Sequence, residues 1–221
     1  MTSGCSKTGK ISTKISPSYR EENYLINQGY SIIAGLDEVG RGTLAGPVVA
    51  GLVILQPRPT QSWLNEIRDS KLMTPRQRSI AAAHLNSESL ASKTGVATST
   101  EIDNLGIVRA TQLAMERALD SCDVPPQFIL VDALPLPQID IPHKAIIRGD
   151  LHCLSIASAS IIAKVARDEM MVNIAQSYPG YGFEKHKGYG TKKHMDALNK
   201  LGPCSIHRHS FSPIKNMDVL K

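Results

Sequence analysis

No Cys-x-x-C pair occurs in this chain; its four cysteines, Cys5, Cys122, Cys153 and Cys204, stand singly along the sequence. That spacing argues against a zinc ribbon, a thioredoxin-like motif or a secreted disulfide framework, and a reducing cytosol is the simplest home. No stretch approaches the roughly 18 consecutive apolar residues of a membrane span, and the N-terminus lacks the apolar core of a signal peptide. A soluble, cytoplasmic protein with no membrane partner is expected. No internal repeat is present. Residues 1–18, "MTSGCSKTGKISTKISPS", contain no acid at all and read as a disordered tail; without an amphipathic arginine pattern they do not read as a transit peptide.

What is present fits a globular protein. The 221 residues, 42% hydrophobic and 20% charged, suit one main domain over residues 19–221. The net charge of +5 is unevenly placed: residues 181–221 carry eight Lys/Arg against three Asp/Glu, whereas residues 31–180 carry 13 against 15. A basic C-terminal segment beside an acidic middle suits an enzyme that binds a polyanion at a carboxylate-lined centre, although a solvated basic face gives the same count.

Residues 19–27 suggest a short helix. "SIIAGL" (31–36) and "PVVAGLVIL" (47–55) read as two β-branched strands of a hairpin, joined by the glycine-rich "GRGTLAGP". A polar, alternating third strand follows at 92–100, then a helix at 106–120 and further apolar runs at 127–132 and 143–150. Residues 155–176 contain neither proline nor glycine and form the longest helix. Its Ser- and Ala-rich first half lets it lie close against a sheet, in the core. Residues 177–190 make a Gly/Tyr/Lys loop before a shorter helix at 191–201, and 202–221 is irregular. Strands followed by mixed strands and helices give an α/β sheet with at least one antiparallel pair.

Each of three strands is expected to stop at an acid: Asp37 with Glu38, Asp132, and Asp150 after a glycine. Singly, such residues are ordinary turn and capping groups; Asp150 or Ser155 could cap the long helix. Together they would converge outside strand ends, where open α/β sheets place ligands, and would need hard cations between them. Adjacent strand residues face opposite ways, so Asp37 and Glu38 serve one site only if the backbone leaves strand geometry at once, which Gly40 and Gly42 permit. N–H groups of that turn could meet a phosphate or hydroxyl.

The set "GLDEVGRGTLAGPVVAG", "DSK" (69–71), "LVD" (130–132), "RGD" (148–150), "SIASASIIAKVARD" (155–168), "HKGYGTKKH" (186–194) and "HRHSF" (207–211) closely resembles bacterial ribonuclease HII, from about Ile33 to Phe211. The resemblance implies a ribonuclease H-like fold, a mixed five-stranded sheet flanked by helices with a C-terminal helical portion. It implies hydrolysis of the RNA strand of RNA–DNA hybrids, and incision of duplex DNA 5′ to an embedded ribonucleotide, leaving 3′-hydroxyl and 5′-phosphate ends. Such work belongs to DNA replication and repair. On the matching motifs, Asp37, Glu38, Asp132 and Asp150 would be catalytic and hold two Mn²⁺ or Mg²⁺ ions. Gly40, Arg41 and Gly42 would read the ribose 2′-hydroxyl, and Tyr189 would stack on the sugar of the 3′ deoxynucleotide. Ribonuclease HIII looks different, with lysine at the Arg41 position and an extra N-terminal domain. "VDALPLP" departs from the family, which commonly has a glycine soon after the aspartate.

Lys185, Lys187, Lys192 and Lys193, with His186 and His194 around Tyr181 and Tyr189, suggest a phosphate-tracking surface with stacking groups. Arg208 is expected to meet phosphate or pair with a core acid, Lys71 to contact substrate, and Lys164, Arg167 and Asp168 to buttress the acids or pair on the helix surface. "HRH" at 207–209 could suggest a metal site, but the carboxylate centre already accounts for metal. Two other classes remain: a non-catalytic hybrid-binding module, against which the four acids speak, and a DNA nuclease or strand-transfer enzyme, against which the Gly–Arg turn and Tyr189 speak. A monomer is expected.

Overall fold

The computed structural model describes residues 16–217. Most of the expected tail, residues 1–15, lies outside the described residues; Ser18 is joined to the body, its N–H donating to His152 O and its carbonyl accepting from Leu154 N–H, both at 3.1 Å.

In chain order the elements are α1 (Arg20–Asn27), β1 (Ile33–Val39), β2 (Val48–Ile54), α2 (Pro75–Glu88), β3 (Ala91–Ala97), α3 (Ser99–Leu105), α4 (Ile107–Asp120), β4 (Phe128–Asp132), β5 (His143–Ile146), α5 (Gly149–His152), α6 (Leu154–Ser177), α7 (Phe183–His186), α8 (Lys192–Leu201) and α9 (Ile214–Met217). The strands form one sheet ordered β3-β2-β1-β4-β5. β1 and β2 are the expected antiparallel hairpin, β3 pairs antiparallel outside it, and β4 and β5 run parallel to β1. Among the described residues no helix is long and apolar enough to cross a membrane.

Alternation sorts the strand side chains onto two faces. Leu36, Val48, Ala50, Leu52, Ile129 and Val131 pack with Ala110, Ala114, Met115 and Ala118 of α4. On the other face Val53 packs with Ala157, Ala159 and Ile161 of α6 and Leu85 of α2. Every α6 residue from Leu154 to Ala163 is buried, as its small side chains require. Contact is closest where the strands carry no side chain: a Cβ on Gly35 would collide with the Ser155 backbone, and one on Gly51 with the Ala159 carbonyl.

The sequence reading passed over α2. Its buried side is only Ala81, Ala82 and Leu85, too sparse to give a strong helical period, but its start was legible: Thr74 and Gln77 form a reciprocal capping box around Pro75. The third strand ends at Ala97, because Thr98 caps α3 through Glu101. The loop at 177–190 holds the one-turn α7 and the expected irregular end holds α9. The start of α6 is capped by neither Asp150 nor Ser155 side chains: Glu22 of α1 reaches across and accepts from Ser155 N–H at 2.8 Å.

Gly51→Ala puts a methyl group against helix backbone that cannot rotate away, so it is expected to destabilise the protein by about 3 kcal/mol or more. Urea unfolding of the variant against wild type measures this.

Candidate active site

The four acids come from three neighbouring parts of the sheet end. β1 does not stop at Leu36; it stays paired to β2 through Asp37↔Gly51, Glu38↔Ala50 and Val39↔Val49. The departure from strand geometry comes at Gly40, with φ +100°. Asp37 therefore lies on the α6 face and Glu38 on the other. Both still sense the charge of Asp132, so the expected need for an immediate break between them does not hold: at the mouth of a sheet the two faces meet. Leu36 pairs with Val131, which sets Asp132, the last residue of β4, beside Asp37 one step further along.

Asp150 is not at a strand end. β5 stops at Ile146, the chain turns through Arg148 in the left-handed region at φ +55°, and Asp150 sits in the first turn of α5. The Gly149 N–H donates to Asp132 Oδ1 at 2.7 Å, so that turn is fastened to the end of β4. Lys71 Nζ lies 3.5 Å from Asp150 Oδ2, which brings the "DSK" turn to the same place. Ser70 Oγ and Ser160 Oγ are 3.1 Å apart, and the Ser160 hydroxyl is near enough to Asp37 to favour its charged form. Ser160 was not singled out from sequence; only its place on the buried face of α6 could have flagged it.

Gathering acids here is costly. Burial, then the charge of Glu38, holds the Asp37 pKa well above the usual carboxylate range, against the help of Ser160. Burial also raises Glu38, opposed by the Arg41 guanidinium, whose Nη1 is 3.1 Å from Glu38 Oε1. Burial raises Asp132, opposed by the Gly149 N–H. Burial works against the Lys71 ammonium too, but Asp150, Asp69 and Asp37 outweigh it and its pKa rises. Glu38 Oε2 is buried with no hydrogen-bond partner.

Two buried arginines hold the adjoining loops. Arg208 donates from Nη2 to Gly40 O at 2.7 Å, from Nη1 to Arg41 O at 2.8 Å and from Nε to Gly46 O at 3.1 Å. Arg167 donates from Nε to Pro47 O at 2.8 Å, from Nη1 to Lys187 O at 2.9 Å and from Nη2 to Thr43 Oγ1 at 2.9 Å. Both side chains are fully buried, so Arg208 neither meets phosphate nor pairs with a core acid, and Arg167 does not pair on the helix surface. Lys164 and Asp168 do, at 2.7 Å. In a trans peptide the C=O and the next N–H point opposite ways. With the Gly40 and Arg41 carbonyls drawn inward by Arg208, the N–H groups of Arg41 and Gly42 face away from the core.

A family profile described as Ribonuclease HII matches residues 34–214. The chain belongs to the ribonuclease HII family. It is 51% identical over 207 residues to ribonuclease HII of Dehalococcoides mccartyi strain 195, covering 93% of this chain and 98% of the relative. The solved ribonuclease H2 of Pyrococcus horikoshii OT3 superposes with a TM-score of 0.70 at 25% identity, covering 86% of this chain and 98% of that one. Bst-RNase HIII, solved in complex with Mn²⁺, shares the fold with a TM-score of 0.62 at 18% identity, over 88% of this chain and 71% of that one.

In this ribonuclease HII the expected basic surface divides in two. Lys185, Lys192 and Lys193 are exposed and Tyr189 is 41% exposed, but Tyr181 and His194 are buried. His207, considered for a metal site, instead joins a chain of imidazoles. Cys204 N–H donates to His207 Nδ1 at 2.8 Å, which leaves the His207 proton on Nε2, 3.1 Å from His194 Nε2. His194 Nδ1–H then donates to Tyr189 O at 2.9 Å. Among the described residues no three or more His, Cys, Asp or Glu side chains are gathered closely enough, as they stand, to hold a metal ion by themselves.

Two outcomes follow from these charges. A carboxylate whose pKa rises on folding binds more protons in the native state, so it withholds stability as pH climbs above its ordinary value, near 3.8 for Asp37. In chelator at pH 7, Asp37→Asn should therefore raise Tm by about 2–4 °C per kcal/mol of relieved repulsion, with the gain shrinking toward about pH 4; calorimetry at the two pH values checks it. His207 runs the other way: burial, then His194, pushes it from 6.5 down to about 4, so stability present at neutral pH is lost as pH falls from 6.5 to 4, up to about 3 kcal/mol. Denaturation curves should show His207→Asn losing less than wild type over that window.

Proposed function

We propose that this ribonuclease HII is a divalent-metal-dependent endonuclease that cuts the RNA strand of RNA–DNA hybrids and also incises duplex DNA 5′ to an embedded ribonucleotide, leaving 3′-hydroxyl and 5′-phosphate ends. Family membership carries the coarser part, an endoribonuclease acting on RNA in hybrids. One observation carries the finer part: an acid pair with a buried, unpartnered oxygen is followed, within four residues, by N–H groups that Arg208 turns outward.

The donor set fits Mg²⁺ or Mn²⁺. Asp37, Glu38, Asp132 and Asp150 offer hard oxygens under mutual repulsion, and the free Glu38 Oε2 lacks the partner that a cation would provide. Such ions take one or two carboxylates each, completed by water and substrate phosphate, so they do not require three protein ligands gathered in the free protein. When bound, they supply an activated water, charge neutralisation at phosphorus and relief for the departing 3′ oxygen. The chain's own residues do the rest. The Gly149 N–H holds Asp132 in place, and Ser160 favours the charged form of Asp37. Lys71, with its side chain 78% exposed, faces a phosphate beside Asp150, and Lys185, Lys192 and Lys193 follow the backbone beyond.

Selectivity for ribose rests on Gly40, Arg41 and Gly42. A 2′-hydroxyl can accept from the outward N–H groups; a deoxyribose leaves those donors unpaired at a cost of about 1–3 kcal/mol. The exposed Tyr189 ring stacks on the sugar 3′ to the ribonucleotide. We take residues 19–221 as one catalytic domain, working as a monomer in the cytoplasm.

The test is incision of an end-labelled DNA duplex carrying one ribonucleotide, with Mg²⁺ or Mn²⁺. Cutting should require the metal and the ribonucleotide, and Asp132→Asn should reduce it at least ~100-fold, the loss of several kcal/mol of transition-state stabilisation, while hybrid binding persists. Cutting of an all-DNA control at the same rate would overturn the ribose reading.

A further inference from the structure

We propose that Arg167 is a positioning residue for substrate selection: it locks the turn at Gly40–Gly42 and the Tyr189 loop into one rigid unit and thereby sets the preference for a ribonucleotide followed by a deoxynucleotide. The inference rests on the reading of those two loops as ribose and junction sensors.

The guanidinium bridges the two loops from beneath. Its Nε and Nη2 bind the first loop through Pro47 O at 2.8 Å, Thr43 Oγ1 at 2.9 Å and Ala45 O at 3.2 Å, and its Nη1 binds the second through Lys187 O at 2.9 Å. Thr43 Oγ1 lies 3.0 Å from Gly40 O, which extends the bridge to the turn itself. The guanidinium carbon is 6.0 Å from the Tyr189 ring centroid. The loops also touch directly: Leu44 N–H donates to Gly188 O at 2.8 Å. Gly188 has φ +85°, and a Cβ there would strike the Ala45 carbonyl; a Cβ on Gly40 would strike Arg167 itself. Arg167 is fully buried, so it touches no substrate and acts only through the loops.

A fork of fixed donors is what this place requires. Lysine keeps the charge but offers one compact ammonium in place of a planar set of N–H groups, so it cannot hold carbonyls on both loops in one register. A junction substrate must satisfy both loops at once: ribose against the turn, deoxyribose against Tyr189. A continuous hybrid presents ribose at the second position too and depends on the first loop alone. Loss of register between the loops therefore falls hardest on the junction substrate, and a misplacement near 1 Å costs up to about 100-fold.

The experiment compares kcat/KM for a DNA duplex carrying one ribonucleotide with kcat/KM for a continuous RNA–DNA hybrid, in wild type, Arg167→Lys, Thr43→Val and Tyr189→Ala. Arg167→Lys should lower the junction-to-hybrid ratio at least ~10-fold, chiefly through kcat, while hybrid cutting falls less than ~3-fold. A purely structural role would lower both substrates alike. Thr43→Val removes one acceptor and keeps the shape, so it should lower the ratio by a smaller factor and serves if Arg167→Lys does not fold. If Tyr189→Ala lowers the ratio but both other variants leave it at the wild-type value, the proposal falls and the junction reading stands. If Tyr189→Ala leaves the ratio unchanged, the junction reading falls and takes the proposal with it.

Discussion

The close approach of α6 to β1 and β2 is the constraint on which the rest of this molecule depends. Two glycines, Gly35 and Gly51, lie where any side chain would meet helix backbone, and the helix answers with Ser, Ala and Ile along its buried half. At this separation one helix delivers several functions along its length. Its first turn is anchored by Glu22, its buried first half sets Ser160 near Asp37, and its second half sends Arg167 beneath both loops. A helix held a few ångströms further away by larger residues would reach none of these partners.

That arrangement supports a site that opposes folding. Asp37, Glu38 and Asp132 are each raised by burial, which means that each charge is less comfortable here than in water. Local groups offset part of this: Arg41 against Glu38, Lys71 against Asp150, and the Gly149 N–H against Asp132. None fills every position, and Glu38 Oε2 is left without a partner. Such residual discomfort is the expected mark of groups selected for a charged ligand and not for stability.

Much of this was legible in the sequence, and the boundary is physical. The β-branched runs gave β1, β2 and β4 because strand burial is a local pattern, and the small-residue helix could be placed in the core because size limits approach. The acid motifs announced themselves because "GLDEVGRG", "LVD" and "RGD" are short and contiguous. The misread side chains all involve partners distant in sequence. Asp150 reads as a strand end because the turn at Arg148 depends on Gly149 being bonded to Asp132, 17 residues away. Arg167 looks like a helix-surface partner of Asp168 until Pro47, 120 residues earlier, is brought under it. Arg208 resembles a phosphate contact until burial among loop carbonyls removes it from solvent. His194 counts as a surface base until His207 folds over it. The α2 helix was missed for the opposite reason: its signal was local, at Thr74 and Gln77, but too few apolar residues followed to draw attention to it.

The two buried arginines also explain how the turn at Gly40–Gly42 keeps one shape. A glycine-containing turn is free to adopt the required shape but equally free to leave it, so its precision must come from outside. Carboxylate partners would be poor anchors here, since they would add negative charge beside four acids already in conflict. Guanidinium groups bonded to carbonyls avoid that: they donate to buried oxygens and turn the opposite N–H groups outward in the same stroke. Burial pushes the pKa of both groups down, Arg208 to about 9 with further help from Arg167, which still leaves Arg208 charged at neutral pH. The outward aim of the turn's N–H groups is thus a consequence of a cation on its hidden side.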